Sequence, residues 1–241
     1  MQLLSNILRT VVLAAFAVRG FAAPSDVELL EKLTTLAQGG SAPAKYSLGV
    51  LYRDGVGTTK DLRSAFRWFE EASLAGDELA SYELGRFYDG EHAGVVPTDH
   101  DRAIAAKLLA ADAGYDSAQR DIGNDYFRKG DLSEAVRWWK LAADQLDVFA
   151  KMNLSEAYRK GLGVQKDPGK ALELALMASR ILPSSVLSTF GLPSRISSLR
   201  SEATAEQQAS AEQAVMKWKP NPSELTVRAA QGLGAAARLV Q

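Results

Sequence analysis

Cysteine is absent from the 241-residue chain. Disulfide staples, thiolate metal sites and a cysteine nucleophile are therefore excluded, and stability has to come from packing. Only two histidines occur, His92 and His100. Charge of one sign is also missing: the formal net charge is -1, which provides no global attraction for nucleic acid or an acidic membrane. Beyond the N-terminus no stretch reaches the roughly 20 apolar residues that span a bilayer. What is present, 46% hydrophobic and 24% charged residues, is the balance of a globular chain that buries a core.

The first residues read as a targeting segment. Arg9 precedes the apolar run Val11 to Val18, and Gly20-Phe21-Ala22 places small residues where a signal peptidase reads. Cleavage after Ala22 is expected, which makes residues 1–22 a signal peptide outside the fold.

Comparing the chain with itself exposes a period. The first unit runs Ala44, Leu48, Gly49, Tyr52, Gly55, Gly57, Asp61, Ala65, Trp68, Ala72, Gly76. The second runs Ala80, Leu84, Gly85, Tyr88, Asp99, Ala103, Ala110, Gly114. Ala118, Ile122, Gly123, Tyr126, Gly130, Asp131, Ala135, Trp138 and Ala142 make the third. Ala150, Leu154, Tyr158, Gly161, Gly163, Asp167, Ala171, Leu174 and Ala178 make the fourth. Alanine, leucine and tyrosine at four-residue spacing share one face of a first helix, and the second alanine opens the apolar face of another. The glycines supply turns, and each aspartate stands where it can cap the second helix. Asp167-Pro168 fits a cap followed by proline at the first helical position, and Asp131 with Glu134 has capping-box spacing. Trp68 and Trp138 read as core aromatics, whereas Trp139 cannot share the face of Trp138.

This order of residues, repeated four times, resembles the Sel-like repeat (SLR), a relative of the tetratricopeptide repeat. The resemblance implies an all-α, right-handed solenoid of about four helix-turn-helix repeats with helical caps at both ends. The repeats are expected at 42–77, 78–115, 116–147 and 148–180, after an N-terminal capping helix within 23–41. A C-terminal loop and capping helix region follows at 181–241. There Pro183, Gly191 and Pro193 interrupt helical periodicity, and Thr204 with Gln207 opens a last helix that ends before Pro220. Ser25 with Glu28 opens the N-terminal cap. Departures from the pattern are the longer loop Gly90 to Thr98, Ala106 where tryptophan is usual, a short, tetratricopeptide-like turn in the third repeat, and Ser155 in place of glycine.

No catalytic constellation emerges. The two histidines lie in a polar loop without converging ligands. Gly163 to Lys170 lacks the spacing, the hydroxyl and the preceding strand of a phosphate loop, and Gly-x-Ser-x-Gly is absent. Neither cofactor nor metal is expected, and the chain reads as non-enzymatic.

In the related families the first helices line the concave face, and residues offset from leucine and tyrosine face the groove. These positions hold Tyr46, Val50 and Arg53; Tyr82, Arg86 and Asp89; Arg120, Asn124, Phe127 and Arg128; then Met152, Glu156 and Arg159. Arginine and aromatic residues are enriched at binding interfaces. The expectation is a basic, aromatic-lined groove for an acidic segment of a partner protein, centred on Tyr46, Arg53, Tyr82, Arg86, Arg120, Asn124, Phe127, Arg128, Met152 and Arg159. The resemblance further implies a periplasmic protein that binds and inhibits or regulates one partner. That role is either immunity against a secreted toxin effector, such as a phospholipase, or regulation of an envelope sensor. Nucleic acid and membrane insertion after signal cleavage are not expected. The alternative is an envelope-assembly module that stacks peptidoglycan or another glycan on Trp139, Tyr46 and Tyr82.

Overall fold

The computed structural model describes residues 25–240, and the expected signal peptide, 1–22, lies outside the described residues. Every regular element described is a helix. The described residues divide into two compact units, 25–113 with 224–240, and Gly114–Ser223. The first contains α1 (Asp26–Gln38), α2 (Ala42–Asp54), α3 (Leu62–Leu74), α4 (Glu78–Tyr88) and α5 (His100–Asp112). The second contains α6 (Asp116–Arg128), α7 (Leu132–Asp144), α8 (Val148–Lys160), α9 (Pro168–Ile181), α10 (Ser184–Thr189), α11 (Leu192–Glu202) and α12 (Ala205–Lys217). Two further helices, α13 (Glu224–Gln231) and α14 (Leu233–Leu239), belong to the first unit.

Consecutive helices pair as hairpins: α2 with α3 and α4 with α5 in one unit, α6 with α7 and α8 with α9 in the other. The four repeated aspartates cap the second helix of each pair. Asp61 accepts from the backbone N–H of Ser64 at 3.1 Å, Asp99 from Arg102 at 3.0 Å, Asp131 from Glu134 at 3.2 Å and Asp167 from Lys170 at 3.0 Å. Each satisfies an N–H that has no partner inside the helix. Thr204 and Gln207 form a reciprocal capping box. The box expected at Asp131 is only half made, because the Glu134 carboxylate turns outward to Arg137 at 2.8 Å. At Ser25 the hydroxyl accepts from Glu28, whose carboxylate pairs with Lys32 instead of reaching back.

In the first three pairs the glycine of the first helix has a steric partner. A Cβ on Gly49 would stand 2.5 Å from the Phe69 ring, one on Gly85 2.6 Å from Cγ of Lys107, and one on Gly123 2.5 Å from Cδ1 of Trp139. Phe69, Lys107 and Trp139 each follow the repeat alanine by four residues, one place beyond the position of Trp68 and Trp138. Trp138 is buried as expected of a core aromatic, but the ring that meets the glycine is Trp139, one residue on. Trp68 is only half-buried at the edge of the cluster of Leu33, Leu48 and Leu51, whereas Phe69 is fully buried. In the fourth pair Ser155 replaces the glycine and Ala175 the large side chain, and the serine hydroxyl donates to the Ala171 carbonyl at 2.7 Å.

The C-terminal region departs most from expectation. Pro193 sits in the first turn of α11, where a missing N–H costs no helical hydrogen bond, so it starts a helix instead of breaking one. Past Pro220 and Pro222 the chain resumes as α13 and α14, so the helix ending before Pro220 is not the last. Their short, alanine-rich turns gain stability by packing: Ala236 joins Leu29, Leu33, Leu48 and Leu51 in one buried cluster.

Gly163 and Gly130 separate two costs. Both have positive φ, 67° and 83°, but a Cβ on Gly163 would lie 2.3 Å from the Leu132 carbonyl oxygen, whereas one on Gly130 meets nothing within 4 Å. Gly130→Ala is expected to lose about 1–2 kcal/mol from backbone strain alone, and Gly163→Ala to lose clearly more. Urea midpoints at unchanged m-value check the order; equal losses would show that the loop's approach to α7 contributes nothing.

Candidate functional site

In the first unit, Arg53 on the last turn of α2 donates to Glu83 at 2.8 Å and to both oxygens of Asp54, at 2.8 and 3.0 Å. Arg86 on α4 donates to the other oxygen of Glu83 at 2.9 Å and to Glu91 at 2.9 Å. Glu83 is buried between the two guanidinium groups. Burial disfavours both positive charges, but the carboxylates, Glu83 foremost, hold Arg53 and Arg86 more firmly protonated than free guanidinium groups. Two arginines thus face three carboxylates. Tyr82 is buried, 8% exposed, and Tyr46 packs its ring 5.9 Å from Phe69.

In the second unit, Arg120 on α6 donates to Asp147 at 2.6 Å and to Asp121 at 2.9 Å, and its guanidinium lies 5.8 Å from the Phe149 ring centroid. Arg128 donates to Asp125 at 3.3 Å, and Arg159 grips Glu156 bidentately at 2.9 and 2.7 Å. The hydrogen bonds from Arg159 hold the Glu156 carboxyl near about 2, well below its ordinary value. Asn124 accepts from the Trp139 indole at 3.0 Å and from Asn153 at 2.9 Å, so its amide orients a core ring. Met152 packs at the edge of the cluster of Val148, Leu172 and Leu199.

Every arginine proposed for a basic groove has a carboxylate partner within the chain; Arg53, Arg86 and Arg120 are each held by two, whereas Arg128 shares Asp125 with Lys129. The pairing carboxylates lie on either side of their arginines in the chain, Glu83, Asp125 and Glu156 three residues before Arg86, Arg128 and Arg159, and composition counts them without showing whom they meet. The glycan-stacking reading loses its rings for a similar reason. Trp139 is 4% exposed with its indole N–H engaged, Tyr82 is buried, and the Arg228 guanidinium lies 5.6 Å from the Tyr46 ring centroid.

Exposed aromatic surface lies elsewhere in the second unit. Phe127 and Phe149 are each 42% exposed and Phe190 41%. Phe149 and Phe190 meet edge-to-face, with centroids 5.2 Å apart, and Phe127 lies against Trp139 at 5.5 Å. Phe127 was expected at the surface. Phe149 and Phe190 were not: neither occupies a recurring position, and Phe190 lies in the segment whose local structure the prolines obscured.

Lys151 on α8 was also missed, because a lysine in a first helix reads as solvated. It is fully buried, and its ammonium donates to the carbonyl of Ala143 and, at 3.2 Å, to that of Gln145, closing the end of α7. The Trp218 ring centroid lies 4.9 Å away. Among the described residues no group of three or more histidines, aspartates and glutamates is placed to hold a metal ion.

The geometry defines a class, the helical-hairpin repeat protein whose recurring residues specify packing. The Sel1 repeat family description matches residues 42–77, 79–115, 117–145 and 148–180, more than half of the chain, and the chain belongs to this family. It is 32% identical over 139 residues to rat "DAP3-binding cell death enhancer 1" and 31% identical over the same length to the mouse protein. These matches cover 57% of this chain and 27% of each relative, so the chain spans about a quarter of their length. A Sel1 repeat protein from Oxalobacter formigenes has the same fold, with a TM-score of 0.60 at 20% identity over 76% of this chain and 75% of that one. Sel1 repeat proteins mediate protein-protein interaction.

Burial drives the Lys151 ammonium down to about 8, against the opposing pull of Asp147, Asp144 and Asp116. Between that value and the ordinary value of 10.5 the unfolded chain holds a proton that the folded chain has released. Stability should therefore rise with pH across this window. Lys151→Met removes the group, so the stability difference between the native protein and the variant should widen in favour of the native protein from pH 8 to pH 10. Urea unfolding at four pH values checks the slope, and a constant difference would refute it.

Proposed function

We propose that the chain is a non-enzymatic periplasmic protein that binds one partner protein and inhibits or regulates it, as an immunity protein against a secreted toxin or as a regulator of an envelope sensor. The observation that carries this reading is the disposition of the aromatic residues: the repeat signature is consumed by packing, and Phe127, Phe149 and Phe190 stay exposed on a folded helical frame. Exposed aromatics beside an arginine are what protein interfaces use, since large flat groups bury area at small entropic cost. The rat and mouse relatives are named for binding another protein, which supports the same class of activity. The exposed phenylalanines make at least part of the partner's contact face apolar.

Affinity capture of the exported chain from its own cells, in parallel with a Phe149→Ala/Phe190→Ala variant, tests the proposal. A protein should be recovered in stoichiometric amount with the native chain, and its affinity should fall at least tenfold, about 1.4 kcal/mol, with the variant. Recovery of no protein rejects the function, while equal recovery rejects the face. Raised salt should leave the apolar contact intact. Export is checked on the same material: N-terminal sequencing of the periplasmic form should begin at Ala23, and a form retaining Met1 would overturn it.

A further inference from the structure

Asp77 and Asp147 occupy the same place in their repeats. Each caps the first helix of a hairpin, Asp77 accepting from the Ala80 N–H at 3.0 Å and Asp147 from the Ala150 N–H at 2.6 Å. Both side chains are buried, Asp77 completely, and burial pushes both carboxyls up. A buried carboxylate needs a cation. Asp147 receives one from within the repeat frame, from Arg120, which stands two residues after the preceding repeat's alanine, Ala118. The equivalent residue before Asp77, two places after Ala44, is Tyr46. It has no charge to give.

The cation comes instead from α13. Arg228 donates to Asp77 at 2.5 Å, and its guanidinium stacks over Tyr46, with 5.6 Å to the ring centroid, much as Arg120 stacks over Phe149. The fit is incomplete. The second carboxylate oxygen of Asp77, Oδ2, and Nε of Arg228 are both buried without a hydrogen-bond partner. A guanidinium approaching fork-on would satisfy both oxygens, and a bidentate pair is the stronger one. What keeps Arg228 there is a tether of two short helices, with Ala236 seated among Leu33, Leu48 and Leu51.

We infer that the Asp77 carboxylate and the Tyr46 ring form a guanidinium-binding site, that residues 224–240 are its resident occupant, and that a partner protein displaces them with its own helical segment bearing an arginine and small apolar residues. The small residues are required because the cluster around Leu48 receives an alanine from the resident helix. The inference rests on the reading of the chain as a protein binder and adds to it the chemistry of one contact. A partner must outcompete a tethered occupant, whose effective concentration is on the order of millimolar; the unused oxygen of Asp77 gives it the means.

The probe is a fluorescent synthetic peptide of residues 220–241, titrated against the full chain and read by anisotropy. Against native protein it should bind weakly, and against the full-length Arg228→Ala chain at least tenfold more tightly, because the competing arginine in cis is gone. Replacing arginine 228 of the peptide by alanine should cost at least tenfold on that variant, and by lysine most of the same, since an ammonium neither forks nor stacks as a guanidinium does. Asp77→Asn on the same variant keeps the helix cap but removes the charge, and should abolish the preference for arginine. If that protein does not fold, the peptide series decides alone, on an unaltered variant chain. Equal binding to both chains, or indifference to the peptide's arginine, overturns the site. Such a failure leaves partner capture through Phe149 and Phe190 untouched, so the two readings fail separately.

Discussion

The contact on which the hairpins depend is a large side chain lodged against a residue that has none. Phe69 on Gly49, Lys107 on Gly85 and Trp139 on Gly123 bring the two helices of each pair together at one fixed rotation. A methyl at any of these glycines would overlap the partner, and a well-packed aromatic has nowhere to yield. The fourth pair shows the same constraint with the sizes exchanged: Ala175 vacates the space, so Ser155 is tolerated and bonds to the Ala171 carbonyl. In the second pair the occupant is a lysine whose stem lies on Gly85. Its ammonium is satisfied by Asp89 at 2.6 Å, so a charged residue fills an aromatic's place without leaving a buried charge unpaired.

This explains how much the sequence disclosed. Local rules were readable because their parts are neighbours in the chain: the aspartate caps, the Thr204–Gln207 box and the hairpins all follow from residues within a few positions of one another. Trp138 is buried as read, but the residues that meet the glycines, Phe69 and Trp139, were not singled out as such, because a helical wheel does not say which of two adjacent aromatics meets the partner helix. The terminal helices escaped notice because Pro220 and Pro222 end a periodic segment, while α13 and α14 derive their stability from contacts hundreds of ångströms of extended chain away from their own sequence.

The candidate site was legible only in part, for an electrostatic reason. Choosing arginines by position finds the cations but not the anions that hold them. Glu83 lies in α4, Glu91 in the following loop, and Asp147 at the cap of α8, at separations of 30, 5 and 27 residues from Arg53, Arg86 and Arg120. Such networks resist change because removing one member strands a buried charge. They therefore specify the frame, which is why the proposed contact face uses side chains outside them, Phe149 and Phe190.

Asp77 shows how a structural residue becomes a recognition site without any change in its own geometry. Its role as a helix cap fixes one carboxylate oxygen on the Ala80 N–H and buries the rest. In the repeat of Asp147 the frame supplies Arg120, and the account closes locally. Where Tyr46 stands instead, the frame is one cation short, and the deficit can be met only from outside the repeat. Arg228 meets it through a single nitrogen while Asp77 Oδ2 remains unpartnered. A charge deficit in a rigid wall is more selective than a basic surface, because it accepts one group in one orientation. A repeat protein can thus acquire specificity by losing a residue from its frame, and the tyrosine at position 46 then serves the arriving guanidinium as a stacking face.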